Sequence, residues 1–295
     1  MIKEILAGLM LRYRERVPDV SGIINAMIAE GIIKNADSIE NDHIAFRTMG
    51  VPLLGIQSLE KIFLHYGYQK RDAYHFPAKK LDAYWYAPAD TRLPRIFLSE
   101  LRVQDLSAAA QRIIHAYTRE VKVDPVTQLN LDDATAVDTF LHSGLWRTPT
   151  LADFQALSAE SEYAAWVIYN RYYLNHFTIS VHNLPAGYNT VAQFNTFLEK
   201  HGFILNDAGG KIKISPDGNL LQSATVAKKI LATFAGGEQA EIAGSYVEFA
   251  ERKVLPAFTH LPQDQLTRAH RREGFEAGNA DKIFESTYNA QTGRK

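Results

Sequence analysis

The 295-residue chain has no cysteine, which excludes disulfides, thiolate nucleophiles and Cys-ligated zinc or iron–sulfur centres. Any metal ion would have to be held by His and carboxylate side chains. An excess of either charge is also missing: 32 Lys and Arg stand against 33 Asp and Glu, a formal net charge of −1. Nothing electrostatic therefore argues for nucleic acid or an anionic membrane as partner. No apolar run approaches the roughly 18 residues that span a bilayer. The first residues, MIKEILAGLMLRYRERV, carry an early acid and then dense charge, and read as an amphipathic helix rather than a secretion signal. The expected compartment is the cytoplasm. AGG at 208–210 and AGG at 235–237 read as turns, and there is no phosphate-cradling glycine loop and no HxxxH or HExxH pair.

What is present is globular composition, 46% hydrophobic and 22% charged, in a length that allows one large domain or two ordinary ones. Apolar spacing (Ile5, Leu9, Leu11, then Ile23, Ile24, Met27, Ile28) predicts helices within 1–36, broken near Pro18. Residues 40–103 read as a strand at 43–50, a helix from Ser58 to Tyr66 stopped by Gly67, and three strands in YGYQKRDAY, LDAYWYAP and RIFLSEL. Residues 104–172 read as helical. The pattern then recurs over 173–253, with a strand at 176–182, a helix at 190–201 closed by Gly202, a hairpin turning at PDGN, and a last strand GSYVEFAER. FLHYGY at 63–68 matches LEKHGF at 198–203, and FLSEL at 97–101 matches YVEFA at 246–250. The expected fold class is α+β: one compact domain whose two βαβββ modules form a cupped sheet around a metal. A polar, helical tail is expected over 254–295.

The stretch LNHFTISVHNL at 174–184 puts His176, Thr178, Ser180 and His182 on one side of a strand and Phe177, Ile179 and Val181 on the other. Such a polar face meets bulk water or lines a cavity. Each half carries a His in its first strand and a Glu in its last, His43 with Glu100 and His176 with Glu248. A glutamate set among Tyr246, Val247, Phe249 and Ala250 is costly to bury unless it is paired or faces a cation. Two imidazoles and a carboxylate, with coordination positions left open, suit Fe(II) or a related divalent metal. Taken singly, a strand His is usually structural and a strand Glu usually faces water; recurrence in both halves is what favours ligands. Thr178 or Ser180 would shape the cavity wall. His182 lies about 20 Å along the strand from His176 and reads as structural. Arg47, four residues after His43 on the same face, is a surface ion-pair partner or a fork for a bound carboxylate. Gln222 and Ser223 in LLQSATV are ordinary hairpin residues or ligand donors. Tyr84, Trp85 and Tyr86 read as core and rim.

HIAFRTMG, NHFTISVHNL, LLQSATVA, GSYVEFAER and GFEAGNADKIFESTY together resemble the DUF1338 family, associated with 2-oxoadipate dioxygenase/decarboxylase, the hydroxyglutarate synthase of bacterial lysine catabolism. The resemblance runs across nearly the whole chain. It implies vicinal-oxygen-chelate-like modules cupping a metal, with His43, His176 and Glu248 as ligands of Fe(II), and Zn, Ni or Mn as alternatives. It also implies that Arg47 grips a substrate carboxylate. Glu100 inherits no ligand role, but its matching position makes it a candidate fourth ligand or acid–base group. The implied activity is an Fe(II)-dependent dioxygenase acting on a 2-oxo dicarboxylic acid, 2-oxoadipate going to 2-hydroxyglutarate and CO2. Arg47 and Glu100 are its candidate catalytic residues, and Arg47, Gln222 and Ser223 its candidate substrate contacts. Two other readings stay open. One is a glyoxalase-type lyase, isomerase or hydrolase with Glu100 as fourth ligand to Zn or Ni; the other is a protein that binds a small acid without turnover. The family's characterised dioxygenases are expected to be longer, with additional sequence at the substrate pocket. The expected partners are a small 2-oxo acid and O2, without nucleic acid or membrane, and a homo-oligomer is left open.

Overall fold

A computed structural model describes residues 1–293. Two helices open the chain, α1 (Ile2–Arg16) and α2 (Pro18–Ala29). Ile5, Leu9 and Tyr13 recur every four residues and make the buried stripe of α1. Pro18 interrupts the pattern by starting the second helix, at a position where no backbone N–H is needed.

The first module follows as β1 (Asn41–Met49), α3 (Ile56–His65), β2 (Gln69–Phe76), β3 (Leu81–Ala87) and β4 (Arg95–Leu101). Four helices then intervene: α4 (Ala108–Thr118), α5 (Ala134–His142), α6 (Leu151–Glu160) and α7 (Glu162–Asn170). The second module comprises β5 (His176–Ser180), α8 (Val191–Lys200), β6 (Lys213–Ile214), β7 (Leu220–Ala224), β8 (Lys229–Thr233), β9 (Gln239–Ala243) and β10 (Tyr246–Arg252). The chain ends through α9 (Ala277–Ile283) and α10 (Asn289–Thr292).

One sheet of eight strands runs β2-β3-β4-β1-β5-β10-β7-β6. In each half the first strand lies parallel to the last, β1 beside β4 and β5 beside β10. The halves join where β1 runs antiparallel to β5, with His43 opposite Thr178 and Ala45 opposite His176. Both histidine strands thus lie side by side at the centre of the sheet.

Three features differ from the sequence reading. The second module contains an additional hairpin, β8–β9, paired only with itself. Its Ala232, Phe234 and Ile242 pack on Phe154 and Tyr169 of the helical segment, a destination that no local pattern reveals. The strand after His176 stops at Ser180 and turns through Val181–Asn183. From Phe275 onward the C-terminal stretch is not an exposed polar tail: Phe275, Ile283 and Phe284 are buried, as are Asn279, Ser286 and Thr287, while residues 254–273 are partly or fully exposed. Its few apolar residues face the cup of the sheet and its polar ones bond there, so average polarity misleads. Asn279 Nδ2 donates to Gln222 Oε1 at 3.0 Å, and Asn206 Nδ2 donates to Ser286 Oγ at 2.8 Å.

Candidate metal centre

All five residues of β5 are buried, so the polar face of LNHFTISVHNL looks into a closed interior rather than water. His176 meets His43 there, Nε2 to Nε2 at 3.3 Å, and Thr178 Oγ1 lies 3.0 Å from His43 Nε2. Glu248 reaches in from β10, with Oε2 3.1 Å from His176 Nε2 and Oε1 3.5 Å from His43 Nε2. Donors about 2.1 Å from a common centre stand about 3.0 Å apart at right angles and about 3.4 Å apart at tetrahedral angles. The three side chains therefore converge on a point within coordinating reach of each.

What holds the two imidazoles settles which nitrogen faces inward. A β-bulge between Asn41 and His43 leaves Asp42 unpaired in the ladder and turns it to its neighbour. His43 Nδ1 lies 2.8 Å from Asp42 Oδ1, and His176 Nδ1 lies 3.1 Å from Asn175 Oδ1. Each ring donates from Nδ1, leaving the Nε2 lone pair for a cation. Two lone pairs and a carboxylate then converge, a donor set that suits a divalent metal of the iron type. Gln222 Nε2 donates to Glu248 Oε1 at 2.6 Å and fixes the carboxylate.

Asp42 is itself clamped. Arg252 grips both its oxygens at 2.7 and 2.9 Å, and Arg95 adds a contact at 3.2 Å. Burial alone would raise the Asp42 carboxyl, but the two guanidiniums outweigh it and hold it well below the usual carboxylate range. Burial, with His43 and Arg47 nearby, pushes His176 well below the ordinary imidazole value, so it is neutral. For His43 burial acts downward too, yet Glu248 and Asp42 pull it above the ordinary value. A cation at the cluster would take the place of that proton.

The site is roofed. His43, Phe97, His176, Gln222, Tyr246 and Glu248 line a cavity of about 20 Å³ closed by the C-terminal Phe275, Ala280, Ile283 and Phe284. Phe275 packs edge-on against His43, ring centres 4.7 Å apart. Arg47 is 1% exposed and not a surface ion-pair partner. Its Nη1 donates to Thr287 Oγ1 at 2.8 Å and its Nη2 to the Phe284 carbonyl at 3.0 Å. Tyr163 and Trp166 lie 5.1 and 5.2 Å from its guanidinium carbon.

Glu100 and Ser223 do not reach this site. Ser223 points to the opposite face of β7, where its Oγ donates to Asn195 Oδ1 at 2.7 Å; Gln222, its neighbour, takes the inner face. Glu100 accepts from the backbone N–H of Ile56, the first residue of α3, at 2.8 Å. Gly55 stands beside it at φ +78°, where a Cβ would collide with the Glu100 carboxylate. Glu251 does the same for the second module, accepting from Val191, the first residue of α8, at 2.8 Å. In the ladders His43 faces Arg95 and His176 faces Tyr246. Counting two residues on from each, the counterpart of Glu248 is Phe97; counting five, the counterpart of Glu100 is Glu251. Pairing Glu100 with Glu248 is thus three positions out of register. An apolar ring occupies the place of a fourth ligand.

The sequence model of the 2-oxoadipate dioxygenase/decarboxylase family matches residues 5–265. The chain belongs to that family. The chain is 48% identical over 305 residues to 2-oxoadipate dioxygenase/decarboxylase, chloroplastic/amyloplastic, of Oryza sativa subsp. japonica, covering 99% of this chain and 80% of that one. The chloroplastic protein of the same name from Arabidopsis thaliana is 46% identical over 306 residues, covering 99% and 79%. A crystal structure of the Oryza sativa hydroxyglutarate synthase in complex with 2-oxoadipate superposes with a TM-score of 0.88 at 44% identity, covering 98% of this chain and 93% of that one. The greater length expected of these dioxygenases holds for the two plant relatives, of which this chain covers 80% and 79%, while it covers 93% of the rice chain in the crystal structure.

The geometry places weight on residues that the sequence alone did not mark: Asp42, Arg95, Arg252, Tyr246 and the roof residues Phe275 and Phe284. An acid next to a strand His was visible in NDHIAF. On a regular strand the two would point apart, and only the bulge turns them together. His182 is used elsewhere, its Nδ1 accepting from the Arg252 backbone N–H at 3.2 Å.

Proposed function

We propose that the protein is an Fe(II)-dependent dioxygenase/decarboxylase that converts a 2-oxo dicarboxylic acid of the 2-oxoadipate type, with O2, to 2-hydroxyglutarate and CO2. The C1 carboxylate leaves as CO2 with its own two oxygens, and both atoms of O2 end in the organic product, one in the carboxylate formed from the 2-oxo carbon and one in the new hydroxyl. The observation that carries the reading is a buried set of two imidazoles and one carboxylate, with no fourth histidine or carboxylate in the cluster among the described residues. The family relationship and the 2-oxoadipate held by the rice relative support the choice of acid.

Iron at this position would supply Lewis acidity toward the 2-oxo acid and one-electron chemistry toward O2. The remaining work belongs to the chain. Asp42, held by Arg252 and Arg95, keeps His43 in one tautomer and one orientation; Gln222, held by Asn279, does the same for Glu248. Arg47 presents a buried positive charge to a substrate carboxylate, and fixed orientation of this kind is worth several kcal/mol. Phe97, Phe275, Ile283 and Phe284 exclude water, which protects reactive species from side reactions. The glyoxalase-type reading needs a fourth protein ligand, and Phe97 stands in that place.

The test is aerobic incubation of iron-loaded protein with 2-oxoadipate. Oxygen uptake matched by equal CO2 release and 2-hydroxyglutarate is expected. Absence of oxygen uptake with this acid and a panel of other 2-oxo acids would overturn the reading, and tight acid binding without turnover would assign a binding protein instead.

A further inference from the structure

The cavity at the metal centre, about 20 Å³, has room for about one water, so a dicarboxylic acid reaches it only when part of the wall moves. The strands of the wall are locked in their ladders, β1 with β4 and β5, and β10 with β5 and β7. The roof helix α9 is tied down as well. Asn279 Nδ2 donates to Gln222 Oε1 at 3.0 Å, Asn206 Nδ2 to the Lys282 carbonyl at 2.9 Å, and Lys79 Nζ to Asp281 at 3.0 Å. Phe284 is backed by Phe76 and Tyr163, and Ile283 by Ala224 and Ala227. Phe275 differs. Its backbone N–H donates to Tyr74 Oη at 3.1 Å, but its ring is held by packing alone. The rings of His43, Phe97 and Trp85 stand 4.7, 4.9 and 6.0 Å from it, centre to centre. Turning that side chain aside breaks no hydrogen bond.

Beside Phe275 lies a cleft of about 480 Å³, lined by Arg71, Asp72, Trp85, Arg268, Glu273 and Gly274, a volume within the range of small-molecule sites. Its floor runs on into the metal centre. Trp85 of the cleft pairs across the ladder with Phe97 of the cavity, and directly opposed residues share one face of a sheet. The two carboxylates of the cleft are bonded already, Asp72 by Trp85 Nε1 at 2.9 Å and Glu273 by Arg95 Nη2 at 2.7 Å. Its guanidiniums bond chiefly to neutral oxygens. Arg71 donates to Gln69 Oε1 at 2.7 Å, and Arg268 to the Thr91 and Leu93 carbonyls at 3.1 and 2.9 Å, with Glu273 3.7 Å away. Two such groups at one opening suit a dianion. The depression on the other side of the roof, lined by Thr287, is about 50 Å³ and sets Glu162 and Glu241 against a single Lys229, a balance that repels the same ligand.

We propose that the cleft of Arg71, Trp85 and Arg268 is the entrance and outer binding site for the dianionic acid, and that the Phe275 side chain is the gate between it and the metal centre. The inference rests on the proposed function and adds to it a second site and the route that joins the two.

Because the chain has no cysteine, a single introduced thiol is labelled alone. Ala269 is exposed in the cleft and Asn289 at the other depression, so Ala269→Cys and Asn289→Cys are each reacted with a bulky maleimide. Stopped-flow tryptophan fluorescence follows 2-oxoadipate entering and leaving metal-loaded protein without oxygen, and metal stoichiometry is measured alongside. The label on Ala269→Cys is expected to slow association and dissociation together by roughly 10-fold or more, leaving Kd within about twofold. The label on Asn289→Cys should change neither rate. Phe275→Leu, with a smaller gate, should raise both rates. Arg71→Glu should slow association by roughly 10-fold at low salt and by less at high salt. Unchanged rates with the Ala269→Cys label, slowing by the Asn289→Cys label instead, or lost metal or affinity in place of slower exchange overturns the inference, while wild-type turnover still upholds the dioxygenase reading. Rates in Phe275→Leu equal to those of wild type overturn the gate. Wild-type protein that neither binds nor turns over 2-oxoadipate overturns both readings.

Discussion

The two modules share a plan and divide the labour. In each, a glutamate of the last strand caps the helix that follows the first strand: Glu100 bonds the first N–H of α3 and Glu251 that of α8. In each, the residue before the histidine holds its Nδ1, Asp42 in one and Asn175 in the other. The difference lies on the inner face. The second module places Glu248 two ladder positions beyond the level of its histidine, and the first places Phe97 there. Scaffold contacts recur while the cavity face has diverged, because a cap is needed in both halves whereas a fourth ligand would fill a position that reactants use.

The largest effect should come from the half that provides two donors. His176→Ala should reduce bound metal to background and lower oxygen uptake by at least about 1000-fold, of the order expected for losing a required group. Circular dichroism should show the fold retained. Full metal stoichiometry in His176→Ala would mean that the cluster is not the metal site.

Asp42→Asn makes the first module resemble the second at the residue behind its histidine. Loss of the carboxylate should weaken metal affinity about 10- to 100-fold, the usual cost of removing such a support. Because Arg252 is left buried without its partner, stability should also fall by about 3 kcal/mol. The pH dependence has a definite sign. Asp42 is depressed in the folded protein, so its stabilisation is full above the ordinary carboxyl value near ~3.9 and is lost as pH falls through the lower folded value. Denaturant titrations should therefore show the gap between wild type and Asp42→Asn constant from neutrality to mild acid and closing only below that. A gap that already closes at pH 6 would contradict the ion-pair account.

The smallest effects should be a matched pair. Glu100→Gln and Glu251→Gln each remove the charge from a helix N-terminal cap, for about 1 kcal/mol apiece. Neither should change metal content, as measured by elemental analysis. A loss of metal confined to Glu100→Gln would restore it as a ligand and break the equivalence with Glu251.

Much of the site is legible in the sequence. His43, Arg47, His176 and Glu248 each stand out because strand periodicity assigns a polar side chain to a face and its apolar neighbours make burial costly. Gln222 and Ser223 could not be told apart in this way: adjacent strand residues always face opposite ways, and only packing says which way is inward. The C-terminal roof was hidden for a related reason. Phe275, Ile283 and Phe284 are spread among charges, and their significance depends on the cavity they close.

By itself the sequence determined the local matters: two strand-first modules, helices that start at Pro18 and stop at Gly67 and Gly202, and donors of the right type on the right strands. These follow from turn chemistry and from two-residue alternation, which act over a few residues. The tertiary structure decided the relations between distant segments: which glutamates correspond, that the Asp42 bulge faces two arginines, and that the C-terminal helix roofs the cluster. Register between strands 50 to 200 residues apart is set by side-chain packing and ladder bonding in the assembled sheet, and no short-range pattern encodes it.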